Sequence, residues 1–270
     1  MQDVLIALQT DLASSIAIRY VCLIENFVRF NMQAVHIPDV DENGHLPSRG
    51  WVHQSWENAI VERAEKGIAR LLQKENLHRY SMGEPKILSG QRDQAILEEL
   101  QYKSYDFFIE GFLHSFEPDR FFKKLDSDLY KNMPCPALMV QNLVNLDRGI
   151  QIVGTPDTIL SVLPWFFKFW HDLPVKTDIL VCHFDTSKKK VATLENDTHL
   201  ICSIKESELN HGKKFDTIRS VNGSSTKLAL LIRDHALVIS LLPETSGHMA
   251  HILATSPCPI LLCPKSKTHS

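Results

Sequence analysis

The sequence predicts an α/β protein made of two tandem domains, each a mostly five-stranded parallel sheet flanked by helices. Two observations predict this class. Short apolar runs of strand length alternate with segments of helical periodicity along the chain. The phrase MPCPALMV at 133–140 returns as SPCPILLC at 256–263, and the opening of the chain has a counterpart near residue 150. A repeated order of elements indicates a duplication, so we place the domains at 1–144 and 148–266.

The first half predicts strands and helices in strict alternation. An apolar strand opens the chain, and Asp11 follows it where the N-cap of a helix belongs, because its carboxylate can accept the free amides of the first turn. Bulky or β-branched residues mark the later strands, and apolar stripes mark the helices. The remaining predicted elements are a strand at 32–37, a long helix at about 54–76, a weak strand within 79–88, a helix at 92–103, a strand at 105–112, a helix at 116–131 and a strand at 135–140.

The second half repeats this order in a shorter form. IQIVGTPD at 150–157 matches the opening strand, and Asp157 again precedes a helix. TDILVCHF at 177–184 matches the second strand, and the ending repeats as helix, strand, helix and CPILLC. The offset between matching segments falls from about 147 to 123 residues, so the second copy is about 24 residues shorter. The segment 186–215 is the least defined, and THLICSI within it is a strand candidate in place of the long helix.

Composition excludes several classes of function. A net charge of −3 provides no basic face for nucleic acid, and no apolar stretch reaches the roughly 20 residues that span a bilayer. The opening has neither the basic region nor the cleavage site of a signal peptide. The six cysteines form no CxxC and most lie in apolar runs, which predicts a reducing, cytoplasmic compartment. Because no basic residue flanks Cys135 or Cys258, we expect both thiols to be inert.

The repeated phrase and the order of elements resemble the universal stress protein family in its tandem, two-domain form. In that family the fifth strand follows a phrase like A-P-C-P-V-L-V-V, close to both copies here. A His-x-x-Asp pattern at His36 and Asp39, shortened to His183-Phe184-Asp185, adds to the resemblance. The family's Rossmann-like fold, which is adenine nucleotide alpha hydrolase-like, implies the strand order 3-2-1-4-5 in each domain. It also implies that the two C-terminal strands cover each other's apolar edges, which would make the chain an internal pseudo-dimer.

The resemblance also bears on nucleotide binding. ATP-binding members have an Asp at the end of strand one and a G-x2-G-x9-G-S/T loop after strand four, whose glycines let the backbone approach the phosphates. Here Gln9 and Thr155 replace the Asp, and the second half nearly lacks the loop. In the first half Gly111 matches the first glycine but His114 stands at the second. A ligand could still enter the crevice at the carboxyl ends of the first-half strands. That crevice would be lined by Gln9, Thr10, His36, Gly111 and His114.

No catalytic or metal-binding group is predicted. The His-x-x-Asp pair could serve acid–base chemistry, but a His at a strand end is more often packed or hydrogen-bonded. His248 and His251 stand three apart on a presumed helix, without a nearby Cys or acid to complete a zinc site. The sequence contains no GxSxG, HExxH or Walker motif.

We therefore expect a non-enzymatic, cytoplasmic universal stress protein that acts in stress response through ligand or protein contacts. The alternative is a sensor that binds an adenine nucleotide, ATP or AMP, in the first-half crevice. A hydrolase or transferase of the wider fold group, and a detached regulatory domain of an ion transporter, also stay open. The partners considered are a second copy of the chain and an unidentified protein, with neither nucleic acid nor a membrane.

Overall fold

A computed structural model describes residues 1–25, 27–38, 51–75, 83–113, 118–184 and 192–265, the side chains of 51–61 and 192–197 excepted. Strands and helices alternate through this part of the chain. The strands are β1 Gln2–Ala7, β2 Phe30–His36, β3 Lys86–Ile87, β4 Phe107–Gly111, β5 Ala137–Val140, β6 Ile150–Gly154, β7 Thr177–His183, β8 Thr217–Asn222, β9 Leu237–Leu241 and β10 Ile260–Cys263. The α-helices are α1 Leu12–Glu25, α2 Trp51–Lys74, α3 Arg92–Tyr102, α4 Pro118–Leu125, α5 Asp128–Asn132, α6 Ile159–Trp170, α7 Ala192–His211, α8 Ser225–Ile232 and α9 His248–Ala254.

The ten strands form one sheet in the order β3-β2-β1-β4-β5-β10-β9-β6-β7-β8. Each half contributes five strands in the order 3-2-1-4-5, and all strand pairs within a half are parallel. The fold class predicted from the sequence is thus confirmed. The halves join where β5 pairs antiparallel with β10, with Leu138 opposite Leu261. The two Pro-Cys-Pro phrases therefore introduce the two central strands of the sheet.

Both faces of the sheet are buried, and each apolar layer runs through both halves. On β1, Val4 and Ile6 face one layer while Leu5 and Ala7 face the other, and none is more than 5% exposed. Helices α1, α2, α6 and α7 cover the first face, and α3, α4, α5, α8 and α9 cover the second. This two-sided burial explains why the central strands are continuous apolar runs, whereas the edge strand β8, with the sequence TIRSVN, is partly exposed.

Two elements differ from the sequence prediction. The strand candidate 198–204 is wrong, because this segment lies within α7. Leu200 and Ile204 are buried one helical turn apart, while Cys202 between them is exposed. The helix expected at 116–131 is, among its described residues, two short helices, α4 and α5, that break at 126–127.

The two matching acids before the first helix of each half do different things. Asp11 Oδ1 accepts the amide of Ser14 at 2.8 Å, which is the N-cap bond that the sequence predicts for α1. Asp157 is exposed and lies in a turn before α6. Here Thr158 Oγ1 accepts the amide of Thr155 at 2.8 Å instead. The duplication therefore preserves the position of the acid but not its bond.

Side-chain contacts also cross between the halves. Tyr20 of α1 is fully buried, and its hydroxyl donates to the carbonyl of Ala236 at 2.9 Å. Phe107 of β4 packs on Phe169 of α6 with ring centroids 4.2 Å apart. In the described part of the chain, no helix combines the length and the apolar character needed to cross a bilayer.

Candidate functional site

A crevice of about 660 Å³ opens in the first half where β1 and β2 end, beside α2. The structure places three of the predicted residues, Gln9, Thr10 and His36, on its wall. This is the carboxyl-end position at which open parallel sheets receive ligands. The rest of the wall comes from the described part of α2, chiefly from residues 62–70.

Hydrogen bonds hold the strand-end residues of the crevice in place. The Gln9 amide donates to Ser14 Oγ at 2.7 Å, and its side-chain Nε2 donates to the carbonyl of Ile37 at 3.1 Å. His36 is 6% exposed, and its Nδ1 lies 2.8 Å from the carbonyl oxygen of Leu8. Because a carbonyl oxygen only accepts, Nδ1 carries a proton. His36 is therefore the packed, hydrogen-bonded histidine that is usual at a strand end.

A small residue and an ion pair hold helix α2 beside the crevice. A Cβ on Gly67 would lie 3.0 Å from Thr10 Cγ2, so glycine permits the close approach of α2 to the end of β1. Glu75, just past the end of α2, accepts from Ser15 Oγ and from Arg19 Nε, the latter at 2.6 Å. Arg19 lowers the pKa of Glu75, which keeps this carboxylate charged.

Gly111, the predicted first glycine of a phosphate loop, packs against helix α1. It ends β4 and is not among the lining residues of the crevice. A Cβ at this position would lie 2.1 Å from the carbonyl oxygen of Ala13 in α1. Glycine is required here because helix and strand backbones touch. The predicted residue His114 lies outside the described residues, as do Asp39 and Asp185.

Three cations on α2 are the lining residues that sequence reasoning missed. Arg63, Lys66 and Arg70 are exposed and line the crevice. Lys66 pairs with Glu62 one turn away, whereas neither arginine has an acidic partner among the described side chains. Lys66 and Arg70 follow Arg63 by three and seven residues, a spacing that places all three on one face of the helix. This spacing is the sequence signal that could have identified them. Among the described side chains, the crevice therefore presents two arginines without an acidic partner to an incoming ligand.

A second missed feature is a buried charge network at the end of β4. Glu110 is 1% exposed, and its carboxylate accepts from Arg92 at 2.7 Å, from Lys124 at 2.8 Å and from the Tyr130 hydroxyl. Burial alone would raise the pKa of Glu110, but the two cations outweigh it and hold that pKa at about 2. The network ties α3, α4 and α5 to the sheet. A charged residue within the apolar run FFIEGF was the signal for it.

In the second half, the residues near the carboxyl ends of the strands are arranged differently from those of the first half. His183 Nε2 lies 2.9 Å from Ser220 Oγ across β7 and β8. His248 stacks on Phe184 with centroids 4.6 Å apart, whereas His251 packs edge-on against a phenylalanine of α4. The two histidines thus make separate aromatic contacts. Among the described residues, no three His, Cys, Asp or Glu side chains come together as a metal-binding group.

None of the six cysteines forms a disulfide, and the buried ones are held as thiols. Burial raises the pKa of Cys135 to about 12 and also raises the pKa of Cys258. A thiol with a raised pKa forms little thiolate at neutral pH and is a poor nucleophile. This agrees with the expectation that these two cysteines are inert.

Comparison with known proteins gives structural matches only. No family model and no curated protein matches the sequence. A universal stress protein from Archaeoglobus fulgidus DSM 4304 superposes with a TM-score of 0.67 at 11% identity, covering 98% of this chain and 97% of that one. This chain has the tandem universal stress protein fold. A protein assigned to the universal stress proteins from Pseudomonas aeruginosa UCBPP-PA14 matches at 0.61 and 12% identity, covering 98% of this chain and 93% of that one.

A smaller universal stress protein family member aligns with part of the chain. It comes from Arabidopsis thaliana, was solved with AMP bound, and covers 53% of this chain and 92% of its own at 12% identity. Its TM-score of 0.32 is too low to relate its nucleotide site to the crevice described above. The universal stress protein fold is therefore established by the full-length matches, and the ligand question depends on this chain's own residues.

Proposed function

We propose that this chain is a tandem universal stress protein that acts in stress response without catalysing a reaction, through ligand or protein contacts. One observation carries the proposal. Two groups that would face a triphosphate after β4 already make contacts within the protein: Gly111 packs on α1, and Lys124 binds buried Glu110. Of the described residues at that point, Gly111 is packed against α1 and Lys124 is already paired, so neither is available to a phosphate group.

The second half supports the same proposal. Only six residues, 242–247, separate β9 from α9, which is too few for the nine-residue span of the family's phosphate loop. At the end of β6, the Thr155 amide already donates to Thr158 Oγ1. A Cβ on Gly154 would lie 3.0 Å from the same hydroxyl oxygen, so this strand end is closed by its own helix.

A thermal-shift experiment tests the proposal. The melting temperature is measured with ATP, AMP and cyclic AMP at millimolar concentration, and phosphate release from ATP is followed in parallel. We expect shifts below about 1 °C and no release above a buffer blank. A ligand present at 100 times its Kd adds about 2.7 kcal/mol of stability, which corresponds to a shift of several degrees. A shift of that size, or turnover of ATP, would contradict the proposal.

The alternative function is a sensor for an anionic adenine nucleotide in the first-half crevice. The favouring observation is the trio of exposed α2 cations, two of them without an acidic partner among the described side chains. Guanidinium groups bind phosphate oxygens in a bidentate manner, so Arg63 and Arg70 are suited to an anion even though the loop after β4 is not. Such binding would use α2 rather than a glycine-rich loop.

Substitution of the crevice arginines distinguishes this alternative. If a nucleotide binds, the double change Arg63→Ala and Arg70→Ala should weaken it by at least about tenfold in a titration. Lys123→Ala is the matched control, because Lys123 is an exposed cation on α4, away from the lining residues. Equal losses in both variants would indicate a general charge effect and exclude this crevice as the site.

A further inference from the structure

Helix α4 belongs to the first half but is seated partly on the second. Phe121 and Leu125 are buried in the core of the first half. The neighbouring Phe122 is half-buried against the same apolar layer, and its ring lies edge-on to His251 of α9 with centroids 4.8 Å apart. A short amphipathic helix with an aromatic residue is therefore what covers the flank of α9.

The second half has no counterpart of α4. Sixteen residues, 112–127, separate β4 from α5, whereas six, 242–247, separate β9 from α9. The antiparallel pairing of β5 with β10 sets up an approximate two-fold axis between the halves. That axis relates α9 to α5 and α8 to α3, and these helices pack as corresponding pairs. Because α4 packs on α9, its equivalent would lie against α5, which itself packs on α3, beside the loop after β9.

The surface at that position is a cleft of about 610 Å³. We call it the inter-half cleft. Leu97 and Met133 contribute to it from the first half, and Leu242, Pro243 and Pro264 from the second. Leu97, Leu242 and both prolines are half-buried, so apolar surface from the two halves faces the opening. The volume lies within the roughly 300–1,000 Å³ that is usual for binding pockets.

We propose that the inter-half cleft is the docking site for a short amphipathic helix of a partner protein, with an aromatic side chain placed between Leu97 and Leu242. The template is α4 itself, eight residues or about two turns long, on the related face. The proposal rests on the proposed function, because it names the kind of protein contact through which the chain acts.

The chemistry of the cleft favours a helix with an aromatic anchor. Apolar grooves between helices bind amphipathic helices through residues spaced one turn apart, and aromatic side chains dominate such contacts. The rim carries charge on both sides, with Lys131 from the first half and Glu244 and Lys265 from the second, all three exposed. An acidic residue at one end of the partner helix would complement Lys265. A ligand seated here would touch both halves at once.

The experiment uses a phage-displayed library of short helical peptides, randomised on one face, selected against the full chain. Binding of the enriched peptides is then measured by fluorescence anisotropy. We expect convergence on peptides with an aromatic residue one turn from a second apolar residue. Leu97→Asp should weaken their binding by at least about tenfold, because it places a charge on the wall of the cleft. Gln101→Trp, an exposed change on the cleft-lining face of α3, should block the cleft without touching the core.

Leu230→Asp is the matched control, since Leu230 is an exposed leucine in a separate groove between α8 and α9. It should leave peptide binding unchanged. The absence of enriched peptides, or equal binding by wild type, Leu97→Asp and Gln101→Trp, would overturn the proposal. A wild-type dimer that Leu97→Asp dissociates would assign the cleft to a second copy instead. Peptide binding that requires removal of residues 266–270 would assign it to the chain's own end. The nucleotide and turnover assays above test the proposed function separately.

Discussion

At the level of single residues, Glu110 shows how the protein stabilises a buried acid. Its carboxylate is inaccessible to water, yet Arg92, Lys124 and the Tyr130 hydroxyl supply the bonds that water would otherwise make. These groups come from three helices that have no other charged link to β4 in the described residues. Removing the charge of Glu110 leaves Lys124 without its acidic partner and leaves Arg92 paired only with Asp93, so all three helices lose part of their attachment to β4.

We predict that Glu110→Gln lowers the free energy of unfolding at pH 7 by about 3 kcal/mol. The folded-state pKa of about 2 lies below the ordinary value of 4.5, so the ionised form stabilises the fold above pH 4.5. That contribution fades as the pH falls from about 4.5 to about 2. Wild type should therefore lose more stability over this window than the variant does, as measured by urea unfolding at each pH.

Glu98→Gln is the control for this measurement. Glu98 is exposed on α3 and accepts only from Gln94 in the described structure, so its substitution should change stability by less than about 0.5 kcal/mol. If Glu110→Gln and wild type lose stability in parallel between pH 4.5 and 2, then the buried ion pairs do not set the acid response.

At the level of elements, the first helices of the two halves begin in different ways. The N-cap bond from the Ser14 amide to Asp11 satisfies one of the free donors of α1. In α6 the Thr158 hydroxyl is turned back toward Thr155, and no side-chain cap bond is formed. The two helices occupy equivalent positions in a duplicated fold, but the acid before each contributes differently to the stability of its helix.

We predict that Asp11→Ala lowers the free energy of unfolding by about 1 kcal/mol, because it removes an N-cap. Asp157→Ala should change it by less than about 0.5 kcal/mol, since this acid is exposed and caps nothing in the structure. Urea unfolding followed by circular dichroism measures both. Equal losses would mean that Asp157 contributes a bond equivalent to that of Asp11.

At the level of the whole molecule, the two halves share one sheet and two continuous apolar layers. The central strands β5 and β10 each have a paired strand on both sides, so neither is an edge strand of the sheet. Buried contacts such as that of Tyr20 with Ala236 add to this continuity. We therefore expect the halves to unfold together rather than as independent domains.

We predict that Tyr20→Phe lowers the free energy of unfolding by about 1–2 kcal/mol, because it leaves the buried carbonyl of Ala236 without its donor. Unfolding should stay a single transition with an unchanged dependence on urea. Tyr102→Phe is the control, since Tyr102 is 87% exposed and should have no measurable effect. A separate early transition in Tyr20→Phe would show that the halves unfold independently.

The candidate site could be predicted only in part. The strand-end positions Gln9, Thr10 and His36 follow from the order of elements, since carboxyl ends of parallel strands meet at one edge. The family motif predicts Gly111 as part of a phosphate loop, but its lack of a side chain permits the contact with Ala13, more than ninety positions away. The α2 cations come from a helix whose rotation over the crevice is fixed by Gly67 and Glu75, and no motif marks that rotation.

The sequence by itself determined the number, type and order of most elements. Helical periodicity, strand-length apolar runs and the two Pro-Cys-Pro phrases are local features, and each is dictated by the burial of its own segment. The resemblance that they support then supplied the strand order. The incorrect strand prediction at 198–204 also has a local cause, because the short apolar run around Leu200 and Ile204 fits a strand as well as a helix when the segment is considered alone.

Only the tertiary structure decided which charges are buried and paired, and where surface is left uncovered. Glu110 contacts Arg92 and Lys124 because the fold places separate helices at one end of β4. The pattern of a single segment cannot predict such a contact. The inter-half cleft likewise arises from what the shortened second half lacks beside α5. The physical reason is the same in both cases. Whether a segment is buried depends mainly on its own side chains. Which charges pair, and which surface stays uncovered, depends on the other segments that the fold brings next to it.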